Sequence, residues 1–254
     1  IAAGRDGHAN EALTRALTNE DFPAIARATM LTLLTAPLGE DEMLVLEEAL
    51  EDENPLLRIA ALRTLRLISA ETKLGIGGES LRDSILAVRL QAALTFADVQ
   101  DLLPLEQTRA FGRAAEEYRA AYTMLSSTPE ASMSLGNFEL ASGNMSLAIR
   151  HYERALEIDP GYVPGRLNLV DAIRHAGNAT RVEELLRQGI SLAPDVAALR
   201  HSLGLALVRT GQTEAAIGEL RQAAELEPMA PRYVYVLGIA LNSLGRQAEA
   251  LELY

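Results

Sequence analysis

Four histidines and no cysteine limit the chemistry that this sequence of 254 residues can perform. His8, His151, His175 and His201 form none of the short pairings, such as H-x-x-H or H-E-x-x-H, that place two ligands on one metal ion. Without cysteine the sequence has no thiol nucleophile, no cysteine-bound zinc and no C-x-x-C-H haem attachment. No G-x-S-x-G motif is present to position a serine nucleophile. We therefore predict that the chain is not an enzyme and binds no metal ion and no cofactor.

A glycine-rich stretch, Gly75-Ile76-Gly77-Gly78, has the composition of a phosphate-binding loop. The Lys-Ser/Thr pair that completes such a loop does not follow it, and no strand pattern precedes it. We therefore interpret this stretch as a connector between helices.

Residues 40–53 contain eight carboxylates, which suggests either acid–base chemistry or a docking patch for a basic partner. Met43, Leu44, Leu46 and Leu50 lie within the same stretch at spacings that place them on the other side of a helix. The pattern is typical of an amphipathic helix with a solvated acidic face.

The composition describes a folding, acidic chain. It is 48% hydrophobic and 23% charged, with a formal net charge of −12. The excess of carboxylates argues against a nucleic-acid partner. No run of 18 apolar residues is present, so we predict no membrane span.

The residues from 129 onward repeat at a fixed interval of 34. The repeated units are the elements that would position any binding residue in this part of the chain. Small or apolar residues recur in each unit, and a proline precedes the next unit. The glycine column consists of Gly143, Gly177, Gly211 and Gly245. Such a period predicts helix–turn–helix units that bury their apolar faces only against their neighbours, with the glycine ending the first helix of each unit.

These columns resemble the tetratricopeptide repeat (TPR) family. Leu-Gly near positions seven and eight, Gly at fifteen, Ala at twenty and Pro at thirty-two all match the family pattern, as in Leu203, Gly204, Gly211, Ala216 and Pro228. The usual Trp at the fourth position is absent. Its place is taken by Ser132, Arg166, Arg200 and Val234.

The first third of the chain repeats at a shorter interval. Arg27, Arg58 and Arg89 are 31 residues apart, and each lies in an apolar helical stretch that follows an acidic or Asn-Pro turn. The sequence segments around these arginines resemble the HEAT-like family of helical repeats. Residues 105–126 have the periodicity of one long helix.

Together these patterns predict an all-α, right-handed superhelical solenoid. We expect HEAT-like repeats over 1–104, a joining helix over 105–128, and a TPR array over 129–254 with three full repeats and a partial fourth. The succession is also similar to the C-terminal region of bacterial proteins with an N-terminal multihaem cytochrome c module. The chain starts at Ile1 and stops within a repeat, so we interpret it as a fragment of a larger protein.

The TPR resemblance implies that the first helices of the repeats line a concave groove that binds an extended peptide or a helix. Asparagine side chains there can pair with a peptide backbone, and Tyr235 or Met133 can anchor apolar side chains. The predicted peptide-binding residues are Met133, Asn137, Asn168, Asp171, Arg174, His175, His201, Arg209, Tyr235 and Asn242. The cations that clamp a C-terminal carboxylate in chaperone-binding members are missing, so we predict against that ligand.

The expected function is a protein-interaction scaffold. The alternative is a non-catalytic docking or assembly arm of a larger periplasmic multihaem redox protein. The compartment is periplasmic under that alternative and cytoplasmic otherwise. A homodimer through the C-terminal partial repeat is a further expectation, because its apolar helix has no following unit to pack against.

Overall fold

A computed structural model describes residues 2–19 and 21–253 of the chain. The described residues form α-helices and two short 3-10 helices and contain no strand. The chain divides into two compact units, with the change between residues 122 and 123; residues 141–143 group with the first unit. The all-α prediction is confirmed, and the change of unit falls inside the predicted joining helix.

The first unit consists of helix pairs that repeat along the sequence. Its α-helices are α1 (Ala2–Leu17), α2 (Ala24–Leu33), α3 (Glu40–Glu51), α4 (Pro55–Leu65), α5 (Ala70–Ile76), α6 (Leu86–Phe96) and α7 (Leu105–Met124). The 3-10 helices are Gly78–Arg82 and Ala97–Leu102. Helices α2, α4 and α6 contain the three arginines of the 31-residue column, and α2 packs on α4 as α4 packs on α6.

Two buried threonines hold these stacked helices in register. Thr64 on α4 donates its hydroxyl to the Leu31 carbonyl at 2.7 Å. Thr95 on α6 donates to the Leu62 carbonyl at 2.9 Å. Because both bonds connect residues 33 apart, the same contact recurs in successive units.

The repeating arginines of the first unit bind the turns beside them. Arg58 forms a two-bond ion pair with Asp83, at 2.7 and 3.1 Å, and also donates to the Asp52 carbonyl at 2.7 Å. Arg89 repeats this arrangement with Glu117 and the Asp83 carbonyl. Asp83, in the acidic turn before α6, therefore also pairs with the arginine of the preceding repeat.

The predicted connector is shorter than expected, because Gly75 and Ile76 lie within α5. Gly77 ends α5 and Gly78 begins the following 3-10 helix. A Cβ at Gly77 would be 2.7 Å from Leu65 Cδ1, and one at Gly78 would be 2.2 Å from Gln107 Nε2. Gly77 is therefore required for packing, whereas a side chain at Gly78 would displace the flexible end of Gln107.

The acidic helix α3 is amphipathic, with one correction to the sequence prediction. Leu46 and Leu50 are buried as expected, but Leu44 is exposed. Glu42 accepts a hydrogen bond from the Gly39 amide at 2.9 Å and so caps the start of its own helix. Leu44 is separated from Leu46 by two positions, about 200° around a helix, so the two cannot share the buried face.

The second unit is the 34-residue array. Its first helices are α8 (Pro129–Ala141), α10 (Val163–His175), α12 (Ala197–Arg209) and α14 (Pro231–Ser243). Its second helices are α9 (Met145–Ile158), α11 (Ala179–Leu192), α13 (Thr213–Leu226) and the short α15 (Gln247–Leu251). Each second helix packs on the first helix that precedes it, as in α10 on α11 and α12 on α13.

Four identical turns connect these helix pairs. Gly143, Gly177, Gly211 and Gly245 have φ angles of 81°, 80°, 76° and 74°, in the left-handed region that favours glycine. The residue after each glycine donates its amide to a carbonyl five residues earlier, at 2.9 Å for Gln212 and Leu207. The predicted role of the glycine column is confirmed.

The Leu-Gly column brings the two helices of a repeat together. A Cβ at Gly136 would lie 2.4 Å from the Tyr152 ring, and one at Gly204 would lie 2.6 Å from Leu220 Cγ. Since Tyr152 and Leu220 occupy the same position in their repeats, both glycines leave room for the same partner position.

Candidate binding surface

The first helices of the second unit form a continuous row. Tyr162, which precedes α10, donates its hydroxyl to Met133 Sδ on α8 at 3.5 Å. On α12 and α14, the rings of His201 and Tyr233 are 4.9 Å apart. We call the exposed and half-buried side of α8, α10, α12 and α14 the first-helix surface. The predicted peptide-binding residues all lie on these helices.

Two of the predicted residues contact each other directly. Asn168 Nδ2 donates to Asn137 Oδ1 at 2.9 Å, and the Tyr152 hydroxyl donates to the same oxygen at 2.8 Å. Tyr152 is fully buried, and burial raises the pKa of its hydroxyl to about 12. Within the described residues, Asn137 Nδ2 and Asn168 Oδ1 make no hydrogen bond, so each asparagine keeps one group for a ligand.

A second group of predicted residues lies at the end of α10. Arg174 pairs with Asp171 at 2.9 Å. The Nδ1 atom of His175 lies 2.7 Å from the Asp171 carbonyl oxygen. Both contacts form within one helical turn, and the Arg174 side chain is 36% exposed.

Arg174 and Arg209 share a small cavity between two repeats. The cavity has a volume of about 150 Å³. Its lining residues are Arg174, Gly177, Ala179, Val182, Ala206, Arg209 and Thr210. Arg209 is exposed and makes no hydrogen bond or ion pair within the described part of the chain. The lining of this cavity is mainly apolar, and it includes the side chains of Arg174 and Arg209.

His201 is less exposed to solvent than Arg209. Its ring is half-buried against Tyr233, and its Nδ1 atom is buried without a hydrogen-bond partner in the described structure. Burial and the nearby Arg232 lower the pKa of the imidazole. The guanidinium of Arg232 lies over the Tyr233 ring, 4.5 Å from its centroid. His201 is therefore a neutral packing group under ordinary conditions.

The C-terminal part of the first-helix surface is apolar. Tyr235 is 59% exposed and Ile239 is 51% exposed, although both are large hydrophobic side chains. A cleft of about 350 Å³ lies beside Ile239 and Asn242 and continues to Leu251 on α15. Val208 on α12 is also exposed. Sequence reasoning chose the polar residues at these positions and missed Val208 and Ile239, although the 34-residue register places them in the same columns as Arg174 and Asp171.

Arginines replace the family's tryptophan at the fourth position and stabilise the array. Arg166 is buried and donates to the carbonyls of Pro160 and Leu185. Arg200 donates to the Pro194 carbonyl at 2.9 Å and pairs with Glu219. Each arginine thus binds the loop before its own helix and the second helix of its own repeat, which excludes both from the first-helix surface.

The described residues contain no group of three or more metal-ligating side chains. None of the helices in the described part of the chain has the length and apolar character needed to cross a membrane.

The fold and the surface define a class of protein, the helical-repeat scaffold that binds other proteins. Two tetratricopeptide repeat family models match the chain, one at residues 105–163 and 201–254 and the other at 139–207. Together they extend over residues 105–254, more than half of the sequence, and the chain belongs to the tetratricopeptide repeat family. The first match begins with α7, the predicted joining helix. The HEAT-like and multihaem resemblances stay predictions.

The solved structures that are similar to this chain include structures of MamA. A crystal structure of MamA has 18% identity and a TM-score of 0.48, and the match covers 59% of this chain and 91% of MamA. MamA 41-end from Desulfovibrio magneticus RS-1 has 18% identity and a TM-score of 0.46, with 63% and 90% of the two chains covered. No curated protein matches the sequence.

Proposed function

We propose that this chain is a non-catalytic scaffold that binds an extended peptide or a helix of a partner protein on the first-helix surface. The observation that carries the proposal is the exposure of Tyr235 and Ile239 on α14, where Ile239 also lines a cleft of about 350 Å³. Aromatic and aliphatic side chains at the edge of a cleft are typical anchors of protein interfaces.

The polar groups of the same surface suit a peptide backbone. Asn137 and Asn168 hold each other in place, which reduces the entropy lost when a ligand binds. The Asn137 amino group can donate to a peptide carbonyl, and the Asn168 oxygen can accept from a peptide amide. The combination supplies backbone recognition at one end of the array and apolar anchoring at the other.

Selection of peptides on the full chain tests this function. A random-sequence peptide library displayed on phage is enriched on the immobilised protein, and the affinity of the enriched peptides is then measured by fluorescence anisotropy. We expect Tyr235→Ser to weaken binding by about tenfold, since one buried anchor is worth on the order of 1.4 kcal/mol or more.

A matched control lies on a second helix. Leu192 on α11 is 56% exposed, close to the exposure of Tyr235, and Leu192→Ser should leave the affinity unchanged. Circular dichroism of both variants checks that the helices are retained. Peptides that respond to Leu192→Ser but not to Tyr235→Ser would place binding elsewhere, and failure to enrich any peptide would count against the function itself.

Pairing of two copies through the partial fourth repeat is a second proposal for the same end of the array. Leu251 on α15 is 76% exposed and lines the cleft beside Ile239. Light scattering over a range of concentrations tests it. A dimer that dissociates in the Leu251→Ser variant is the expected result, and a monomer at every concentration would argue against pairing.

A further inference from the structure

The charges of the second unit differ between its second helices and three of its first helices, whereas the first helix α8 carries Glu130 and Glu139 and no arginine. Helices α10, α12 and α14 carry five arginines and one carboxylate, Asp171. The second helices α9, α11 and α13 carry seven carboxylates and five arginines. In a protein with a net charge of −12, three of the first helices are therefore locally basic.

The contacts decide which of these arginines can reach a ligand. Arg166 and Arg200 are committed to loop carbonyls, and Arg232 lies over the Tyr233 ring. Arg174 and Arg209 remain, and both line the cavity of about 150 Å³ between their repeats. Of these two, Arg174 pairs with Asp171, whereas Arg209 has no carboxylate partner within the described residues.

The cavity is suited to one acidic side chain. Its volume is well below the roughly 300–1,000 Å³ of typical small-molecule sites, and is instead the size of a single side chain. Val182 and Ala206 provide apolar walls for methylene groups. A guanidinium group binds a carboxylate with two parallel hydrogen bonds, so Arg209 can hold the end of an aspartate or glutamate.

Exposed apolar residues also lie on α12 and α14. Val208 is exposed next to Arg209 in sequence, and Tyr235 and Ile239 follow on α14. No carboxylate lies on α12 or α14 to repel an anionic ligand. The net charge of −12 disfavours a nucleic acid, whose many phosphates would meet the carboxylates of the second helices.

We infer that the partner segment bound on the first-helix surface is acidic and carries apolar anchors. An aspartate or glutamate occupies the cavity between Arg174 and Arg209, and apolar side chains contact Val208, Tyr235 and Ile239. The inference rests on the proposed function and specifies the chemistry of the partner. A neutral or basic peptide of the same length would lack the contact with Arg209.

The test compares charge variants of one enriched peptide on the full chain. The peptide is synthesised as selected and with every Asp and Glu replaced by Asn and Gln, and both forms are titrated against the wild-type protein, Arg209→Gln and Arg154→Gln. Arg154 is an exposed arginine on the second helix α9 and serves as the matched control. Circular dichroism and urea unfolding confirm that all three proteins are folded.

We expect enriched peptides to contain Asp or Glu beside Leu, Ile or Phe. Arg209→Gln should weaken the acidic peptide about tenfold, neutralising the peptide should have a similar effect, and the two changes together should not add. Arg154→Gln should change the affinity less than twofold. Added salt should weaken the acidic peptide but not the neutralised one.

Three results would overturn the inference. They are enrichment of basic or uncharged peptides, equal binding of the acidic and neutralised peptides to the wild type, and an effect of Arg209→Gln no larger than that of Arg154→Gln. If any of these results is obtained and Tyr235→Ser still weakens peptide binding, the proposed function stands. Peptides insensitive to Tyr235→Ser would remove the proposed function as well.

Discussion

Asn168 donates its side-chain amide to Asn137 Oδ1 at 2.9 Å, which links the first helices of two successive repeats. The same oxygen accepts the hydroxyl of Tyr152, whose ring is fully buried. Asn137 therefore accepts a hydrogen bond in the interior of its own repeat, from Tyr152, and another on the first-helix surface, from Asn168. Asn168 contributes to the surface alone.

Replacement of the two asparagines should have unequal effects on stability. Asn137→Ala leaves the buried Tyr152 hydroxyl without an acceptor and should lower the free energy of unfolding by about 1–3 kcal/mol. Asn168→Ala removes one half-buried hydrogen bond and should cost about 0.5–1.5 kcal/mol. Urea unfolding measures both. Adding Tyr152→Phe to Asn137→Ala should recover part of the loss, and equal losses from the two single variants would contradict this account.

Two glycines of the third repeat should respond in opposite ways to alanine. Gly211 has a φ of 76°, so Gly211→Ala should destabilise the protein by about 1–2 kcal/mol. Gly218 lies within helix α13 with open space around the position of a Cβ. Gly218→Ala should therefore stabilise by about 0.5–1 kcal/mol, since alanine loses less backbone entropy in a helix. Urea unfolding measures the free energy of unfolding of both variants. A change in the same direction for Gly211→Ala and Gly218→Ala would contradict the prediction.

Gly189 and Arg166 should be coupled. A Cβ at Gly189 would lie 2.5 Å from Arg166 Cδ and 3.2 Å from Leu199 Cδ1. Gly189→Ala alone should cost about 1–3 kcal/mol because the buried Arg166 has no room to move aside. In the Arg166→Ala background the same change should cost much less. A double-mutant cycle by urea unfolding measures the coupling, and additive effects would mean that the two residues do not share this space.

His201 should make stability depend on pH. Burial and Arg232 lower the pKa of its imidazole in the folded state, so below the ordinary value of about 6.5 the unfolded chain takes up a proton more readily. The stability that the neutral His201 contributes to the folded state is therefore lost as the pH falls from about 6.5 through the lowered pKa. His201→Phe should reduce the loss of stability between about pH 7 and pH 5.

The sequence by itself determined the periodic features of this protein. The glycine column specifies four turns because a left-handed φ excludes most other residues, and the 34-residue spacing specifies helix pairs because each pair repeats the same apolar pattern. The same register indicated which helices carry the predicted binding residues. These are local rules, which depend on a residue and its neighbours within a few turns of helix.

Only the tertiary structure decided how the side chains of that surface are used. Asn137 and Asn168 are 31 residues apart, and their contact depends on how α8 packs against α10. Of the arginines on the first helices, some bind carbonyls of the loops and others remain accessible, a distinction that their spacing does not contain. Long side chains choose among partners brought close by packing, so the difference between a structural Arg166 and an exposed Arg209 appears only when the repeats are stacked.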